Sequence, residues 1–339
     1  MEHLPKIEQS YKTIFDMCGL AAKEKVLTAA IKLGIFNALS KPVSAEAIAR
    51  EISTHPGNTA LFLDGLTATG LVKKKDELYQ NTPVSQAFLV ETSPTFLGPI
   101  FMYLITNEAY TADDLFKLVK EGPVLPGKIH TGSDEMTKEE VATYIPFQRA
   151  GRAQKIAEIA SSLPEFPSFQ KMLDLGCGPG LNGIAIVSEH LTMHGVSFDR
   201  PGTIAVAKEC IRKYGMEERM ETVSGDYVND PIGEGYDLIL ACDTLYYTKD
   251  EIDPIMSKLY GALNPGGILI CIHYTLTENR TRPGELVLGM MFSGLRGEDM
   301  GLLDQGFLAD AIVRAGFRSV RSSTFDSDCG KQDLDIARK

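Results

Sequence analysis

No stretch of this 339-residue chain approaches the roughly 18 consecutive apolar residues that a membrane-spanning helix requires, so a membrane partner is not expected. Cysteine is sparse. The six cysteines, at 18, 177, 210, 242, 271 and 329, form no Cys-x-x-Cys pair, which argues against a zinc ribbon or a disulfide framework and fits reduced thiols in the cytoplasm. Of the six histidines, only His190 and His194 stand four apart, and the apparent start of a strand separates them, so no metal site is expected. The opening Met-Glu-His-Leu-Pro-Lys lacks the charged-then-apolar order of a secretory signal. Low-complexity tracts and internal repeats are absent. Basic residues are also in deficit, 34 Lys and Arg against 45 Asp and Glu, for a net charge of -11.

What is present is enough apolar content, 44%, to bury two cores, together with one conspicuous loop. The run Lys171-Met-Leu-Asp-Leu-Gly-Cys-Gly-Pro-Gly180 reads as a buried strand that enters Asp174 and then three alternating glycines. Gly176, Gly178 and Gly180 let the backbone turn sharply and approach a ligand that a Cβ would hold off. A second strand, Met193 to Phe198, ends in Asp199, placed to accept both ribose hydroxyls of a nucleoside. Met220 to Asp226 and Tyr236 to Cys242 read as a third and a fourth strand, and Ile268 to Ile272 as a fifth. Helical segments alternate with them: Ile204, Ala207 and Ile211 share one face, and Asp253-Pro254 opens a helix with Ile255, Met256 and Leu259 inward. The pattern predicts an α/β doubly wound, Rossmann-like parallel sheet with its ligand over the strand ends.

A nicotinamide dinucleotide would call for a further glycine at 181, where the pyrophosphate meets the helix; this chain has leucine. Asp174, Asp199 and Asp226 together suit a cationic nucleoside better than a dianionic one.

On these residues the chain resembles the class I methyltransferases that use S-adenosylmethionine, and in particular the two-domain small-molecule O-methyltransferases of the caffeate and hydroxyindole type. The resemblance covers roughly residues 15–325. It rests on Leu173-Asp-Leu-Gly-Cys-Gly-Pro-Gly180, Phe198-Asp-Arg-Pro-Gly-Thr-Ile204, Gly225-Asp-Tyr227 and Leu263-Asn-Pro-Gly-Gly267. It implies that Gly176, Gly178 and Gly180 line the methionine and ribose part of the cofactor and that Asp199 holds the ribose diol. Asp226 and Tyr227 would face the adenine, with Asp174 and Cys242 at neighbouring strand ends. It also implies a homodimer, and substrate contacts from Tyr144, Phe147, Gln148, Met291 and Phe292.

The chain departs from that family where deprotonation is expected. Leu245-Tyr-Tyr-Thr248 stands where the family has Leu-His-Asp-Trp, so Tyr246 occupies the position of the base, and His273 stands where the first supporting glutamate is expected. The second glutamate has no clean counterpart: Leu302 falls nearest, with Glu298, Asp299 and Asp304 close by. Two readings follow. Either His273 is the general base and the Tyr246 hydroxyl orients substrate, or both are pocket wall and the reaction proceeds by proximity alone. O-methylation is the first expectation. S-methylation of a thiol or thioether, which needs little or no base, is the second. C-methylation of a pigment-like substrate is the third, because bacterial methyltransferases of bacteriochlorophyll biosynthesis resemble this chain in having Leu-Tyr at the same place.

Residues 1–105 have a different texture. A helical face of Val26, Ala30 and Leu33 stops at Gly34; Ser44 caps a second helix; residues 59–69 form a third; and Leu71 to Leu78 reads as a hairpin wing. This predicts a mostly helical winged-helix domain, followed by helical linker and pocket helices over 106–165, in which 138–161 reads as one long helix, and a methyltransferase domain over 166–339. A winged helix raises the alternative of a DNA-binding regulator. Its third helix, Thr59 to Thr69, carries no basic residue and one acid, and the acidic chain would repel a phosphate backbone. No shift of a DNA band is therefore expected at low salt; a salt-sensitive shift would return the regulator to first place.

Overall fold

The computed structural model describes residues 8–107, 111–122, 136–295, 297, 300–327 and 330–339. The chain divides into two compact units, Met1–Asn107 and Glu108–Lys339. Residues 123–135, with Glu298, Asp299 and Cys329, lie outside the described residues.

In the first unit a long helix, Lys12–Leu33, ends on Gly34 in the left-handed conformation that favours glycine. Ser44 accepts a hydrogen bond from the Ala47 amide and caps the helix Ala45–Glu51, and His55 does the same for Pro56–Ala68 through the Asn58 amide. A three-stranded antiparallel sheet follows, with Leu78–Asn81 between Val43–Ser44 and Val72–Lys75. Phe36, Leu39, Ile48, Leu63, Leu66 and Tyr79 form the core of this unit. The Tyr79 hydroxyl and Lys74 ammonium both donate to Asp64, which fastens the hairpin to the third helix.

The second unit is built on a seven-stranded sheet: β1 (Lys171–Leu175), β2 (His194–Asp199), β3 (Met220–Ser224), β4 (Tyr236–Cys242), β5 (Leu263–His273), β6 (Ser319–Ser327) and β7 (Gly330–Arg338). Across the sheet the order is β6-β7-β5-β4-β1-β2-β3. The first five strands run parallel, as the alternation predicts, while β7 adds antiparallel to β5 and β6 antiparallel to β7. The sequence reading did not find these last two strands. Nearly every residue of β6 is exposed or half-buried, so it carries no apolar alternation to detect.

Apolar clusters cover both faces. Met172, Leu238, Leu240, Ile270 and Ile272 pack against Ile156, Ala157, Ile184 and Val187, while Leu173, Ile239, Leu269 and Cys271 pack against Ile255, Leu259, Leu308 and Ile312. Strand order reverses between β1 and β4, and the crevice at such a point is where open α/β sheets bind ligands. The expected single helix over 138–161 is broken. Lys138–Phe147 and Ala153–Ser161 are joined by a wide turn over Gln148–Arg152, because Gly151, at φ +122°, takes a backbone conformation no helix accommodates.

One contact tests how tightly the sheet is packed. A Cβ on Gly195 in β2 would stand 2.9 Å from Val187 Cγ2 and closer still to the Met220 thioether. Gly195→Ala is expected to destabilise the unit by roughly 1–3 kcal/mol, read as a lowered urea midpoint. An unchanged midpoint would show that Met220 yields freely.

Candidate functional site

The glycine loop is shaped by its neighbours. The Gly176 and Cys177 amides both donate to the Phe198 carbonyl, at 2.9 and 3.1 Å, which folds the end of β1 over the end of β2. Gly176, Gly178 and Gly180 all sit at positive φ, +65°, +57° and +81°. At Gly176 the reason is also steric, since a Cβ there would lie 2.6 Å from the Thr244 Cβ, just beyond the end of β4.

Asp199 completes the loop from the β2 side. Its Oδ2 accepts from the Gly178 amide at 2.8 Å and its Oδ1 from the Arg200 amide at 2.7 Å. Burial raises its carboxyl above the ordinary 3.8, opposed by these two amides. The Thr203 side chain also bonds this carboxylate, and the three donors leave part of its lone-pair capacity for a ribose hydroxyl. The glycine cradle and this carboxylate fit an adenosyl ligand.

Asp174 lies deeper. It is 1% exposed, its Oδ2 accepts from the Gly183 amide at 2.9 Å, and burial pushes it up to about 7, with the Asp199 charge adding and the Gly183 amide opposing. Its partner here is the helix Leu181–Ser188 under the loop. Gly183 escaped the sequence reading; a Cβ there would stand 2.8 Å from Asp174 Oδ2. A glycine inside a predicted helix was the available signal.

Beyond β3, Asp226 accepts from the Val228 amide and the Asn229 side chain, both at 3.0 Å, and so stiffens its own turn. The Tyr227 hydroxyl donates to the Thr244 carbonyl at 2.9 Å and accepts from the Thr244 hydroxyl at 3.3 Å, bridging the ends of β3 and β4. Burial raises its phenol above the ordinary 10.0.

The end of β4 carries a network that the sequence reading missed. The buried Arg152 guanidinium pairs with the Asp243 carboxylate, donates to Gln332 Oε1 at 2.9 Å, and reaches the Cys242 sulfur at 3.4 Å. Gln332 in turn donates to Asp243 Oδ1 at 3.2 Å. Burial opposes the Arg152 charge, but the Asp243 carboxylate beside it holds the guanidinium protonated. Cys242 itself is pushed by burial up to about 12, so it is no thiolate.

Tyr246 and Tyr247 stack with ring centres 4.2 Å apart, and the Tyr246 hydroxyl donates to that of Tyr247 at 2.9 Å. Burial, then the neighbouring Tyr247 and Asp243, raise the Tyr246 phenol well above 10. Phe147 lies under the Arg152 guanidinium at 5.4 Å. Gln148 sits at the glycine loop, its Oε1 accepting from the Leu181 amide at 3.2 Å. Met291 is exposed and Phe292 half-buried on the helix Gly284–Leu295.

His273 ends β5 as predicted, but it is 2% exposed and neither ring nitrogen has a hydrogen-bond partner. Strand alternation sets it on the face of Cys271, opposite that of Ile272. The nearest acid is Asp335, 3.9 Å from Nε2, whose other oxygen accepts from the Ser322 hydroxyl. Burial lowers the imidazole from 6.5 to about 4, so it is neutral at pH 7. Among the described residues no group of His, Cys, Asp or Glu gathers to hold a metal ion.

Comparison with known proteins places this geometry. The O-methyltransferase dimerisation domain matches residues 15–91, and the O-methyltransferase domain matches residues 133–299. The chain is 25% identical over 312 residues to the N,N-dimethyltransferase OxyT of Streptomyces rimosus, covering 90% of each. It is also 25% identical over 277 residues to a 3-hydroxy-5-methyl-1-naphthoate 3-O-methyltransferase of Streptomyces sahachiroi, covering 79% of each. Human N-acetylserotonin methyltransferase, solved in complex with SAM, superposes with a TM-score of 0.74 at 23% identity over 99% of both chains, a likeness of fold. With both domain matches on one chain and a glycine loop at the switch point of the sheet, the chain belongs to the two-domain, S-adenosylmethionine-dependent O-methyltransferases.

Proposed function

We propose that this enzyme methylates a hydroxyl of a small metabolite, and that Gly176, Gly178, Gly180 and Asp199 hold the cofactor while Tyr144, Phe147 and Tyr246 border the acceptor. The observation that carries the assignment is Asp199, fixed by the Gly178 amide with acceptor capacity to spare. Bound there, S-adenosylmethionine supplies an electrophilic methyl on a positively charged sulfur. Around it the chain aligns the reactants: Tyr227 and Thr244 brace the adenine side, and the paired rings of Tyr246 and Tyr247 border the acceptor. Asp226 and Tyr227 are read as adenine contacts, Asp174 as the support of the loop, and Met291 and Phe292 as a cover for the acceptor.

His273 is read as wall rather than base, since accepting a proton would leave a charge in a site that already disfavours it. Tyr246, with its phenol raised, is read as a hydrogen-bonding wall. The same observations favour a second reading, an acceptor that needs no base, such as a thiol, a thioether or a neutral amine.

The first unit is read as a winged-helix homodimerisation module. Tyr11, Ile14, Phe15, Met17 and Leu20 are 63–71% exposed on or beside its first helix, an apolar surface suited to a second copy. Five free cysteines among the described residues support a cytoplasmic location. We keep 1–105, 106–165 and 166–339 as working divisions for truncations.

The test is transfer of labelled methyl to a panel of phenols, hydroxy acids, thiols, thioethers and amines. Label on oxygen supports the first reading; label confined to sulfur or nitrogen selects the second. Asp199→Ala is expected to weaken S-adenosylhomocysteine binding roughly 100-fold by calorimetry, the loss of a hydrogen bond to a charged group. Unchanged binding would remove the cofactor assignment.

His273→Leu is expected to keep turnover within about threefold of wild type; a loss of about 100-fold or more would restore the histidine as base. Stability supplies a second readout. An imidazole held near 4 when folded and near 6.5 when unfolded contributes stability that is complete above pH 6.5 and lost as pH falls toward 4. That contribution is roughly 3 kcal/mol at about 1.4 kcal/mol per pH unit. In urea titrations at pH 7 and pH 4.5, His273→Leu should lose correspondingly less than wild type.

A further inference from the structure

The Arg152, Asp243 and Gln332 network has no part in the reaction proposed above, yet it is buried, charged and closed on itself. The side chains of Arg152 and Asp243 are 9% and 24% exposed, and Gln332 is 1% exposed. Each member bonds the other two. A buried ion pair is a costly structure that persists only when complete, because removing one partner strands the other charge.

The network meets in Asp243, which has φ +50°. Residues other than glycine seldom adopt that conformation and keep it only when the surroundings over-determine it. Here three constraints do so: the guanidinium, the Gln332 amide, and a hydrogen bond from the Asp243 amide to the Ile272 carbonyl at 2.8 Å. The next residue is Thr244. Its side chain fills the space that the missing Cβ of Gly176 leaves, and its carbonyl accepts the Tyr227 hydroxyl. Both flanks of the cofactor site therefore hang on one residue whose position depends on the backbone of Asp243.

We propose that the Arg152–Asp243–Gln332 network is the positioning device of the cofactor site: it holds residue 243 in its left-handed conformation and so seats Thr244 against the glycine loop. Arg152 then governs affinity for the adenosyl ligand without contacting it. The inference rests on the reading that Gly176 to Gly180 and Asp199 bind that ligand. Arginine suits the task because its planar fork serves Asp243 and Gln332 at fixed angles, which a lysine cannot do.

The experiment measures S-adenosylhomocysteine binding by calorimetry to the full chain, with thermal unfolding run on each variant. Arg152→Met is expected to weaken binding about tenfold, the scale on which residues supporting a ligand shell act. The double variant Arg152→Met/Asp243→Gly should bind more tightly than Arg152→Met alone, because glycine takes the positive φ unaided and no unpaired charge remains. A merely structural role predicts no such recovery. If Arg152→Met does not fold, Arg152→Lys keeps the charge, loses the fork, and should bind at least about threefold more weakly than wild type. Binding by whichever single variant folds that stays within about threefold of wild type overturns the proposal, as does a folded double variant no tighter than Arg152→Met. If the wild type itself does not bind, the cofactor reading fails and the inference falls with it; wild-type binding beside an unaffected Arg152 variant overturns the network alone.

Discussion

The ends of β1 and β4 can come together only because Gly176 has no side chain. Thr244 fills the space its Cβ would take, and this contact closes the crevice where strand order reverses. From Thr244 the constraint spreads in two directions. Through its carbonyl it fixes Tyr227 and the turn after β3. Through the backbone it is continuous with Asp243 on one side and Leu245 and Tyr246 on the other, so the glycine loop and Tyr246 share a single support.

The electrostatics follow from burial more than from charge count. Asp174, Asp199 and Asp243 all sit where burial raises the carboxyl, and each is met by a specific donor: the Gly183 amide, the Gly178 and Arg200 amides, and the Arg152 guanidinium. Backbone amides serve the two acids nearest the loop, whereas the Arg152 guanidinium serves the acid just beyond β4. His273 is the contrary case, a titratable group given no partner and kept neutral by its surroundings.

Much of the fold was legible because it is locally encoded. β4 runs from Tyr236 to Cys242 as the apolar run indicates, Ser44 caps its helix, and the alternation of strands and helices leads to the five parallel strands. The break at Gly151 was not legible, since a lone glycine in a helical pattern is usually tolerated. The edge strand β6 was missed for a related reason, since its residues are exposed or half-buried and burial imposes no period on it, and the buried run of β7 is interrupted by Asp333 and Asp335. At the site, the hydrogen bond from the Leu181 amide to Gln148 was not legible, since the two residues are far apart in the chain.

The sequence by itself determined the strand-loop-helix around Gly176 to Gly180, the acid at the end of β2 and the alternation of strands and helices, since each depends on residues close together in the chain. Only the tertiary structure decided which side chains meet at the end of β4. Arg152 lies 91 residues from Asp243 and 180 from Gln332, and no periodicity links positions so far apart. It also decided the state of His273, which sequence placed at a strand end but whose burial among packed strands settles whether it can carry a proton. Local pattern sets backbone conformation, whereas dielectric and partnership are properties of the packed whole.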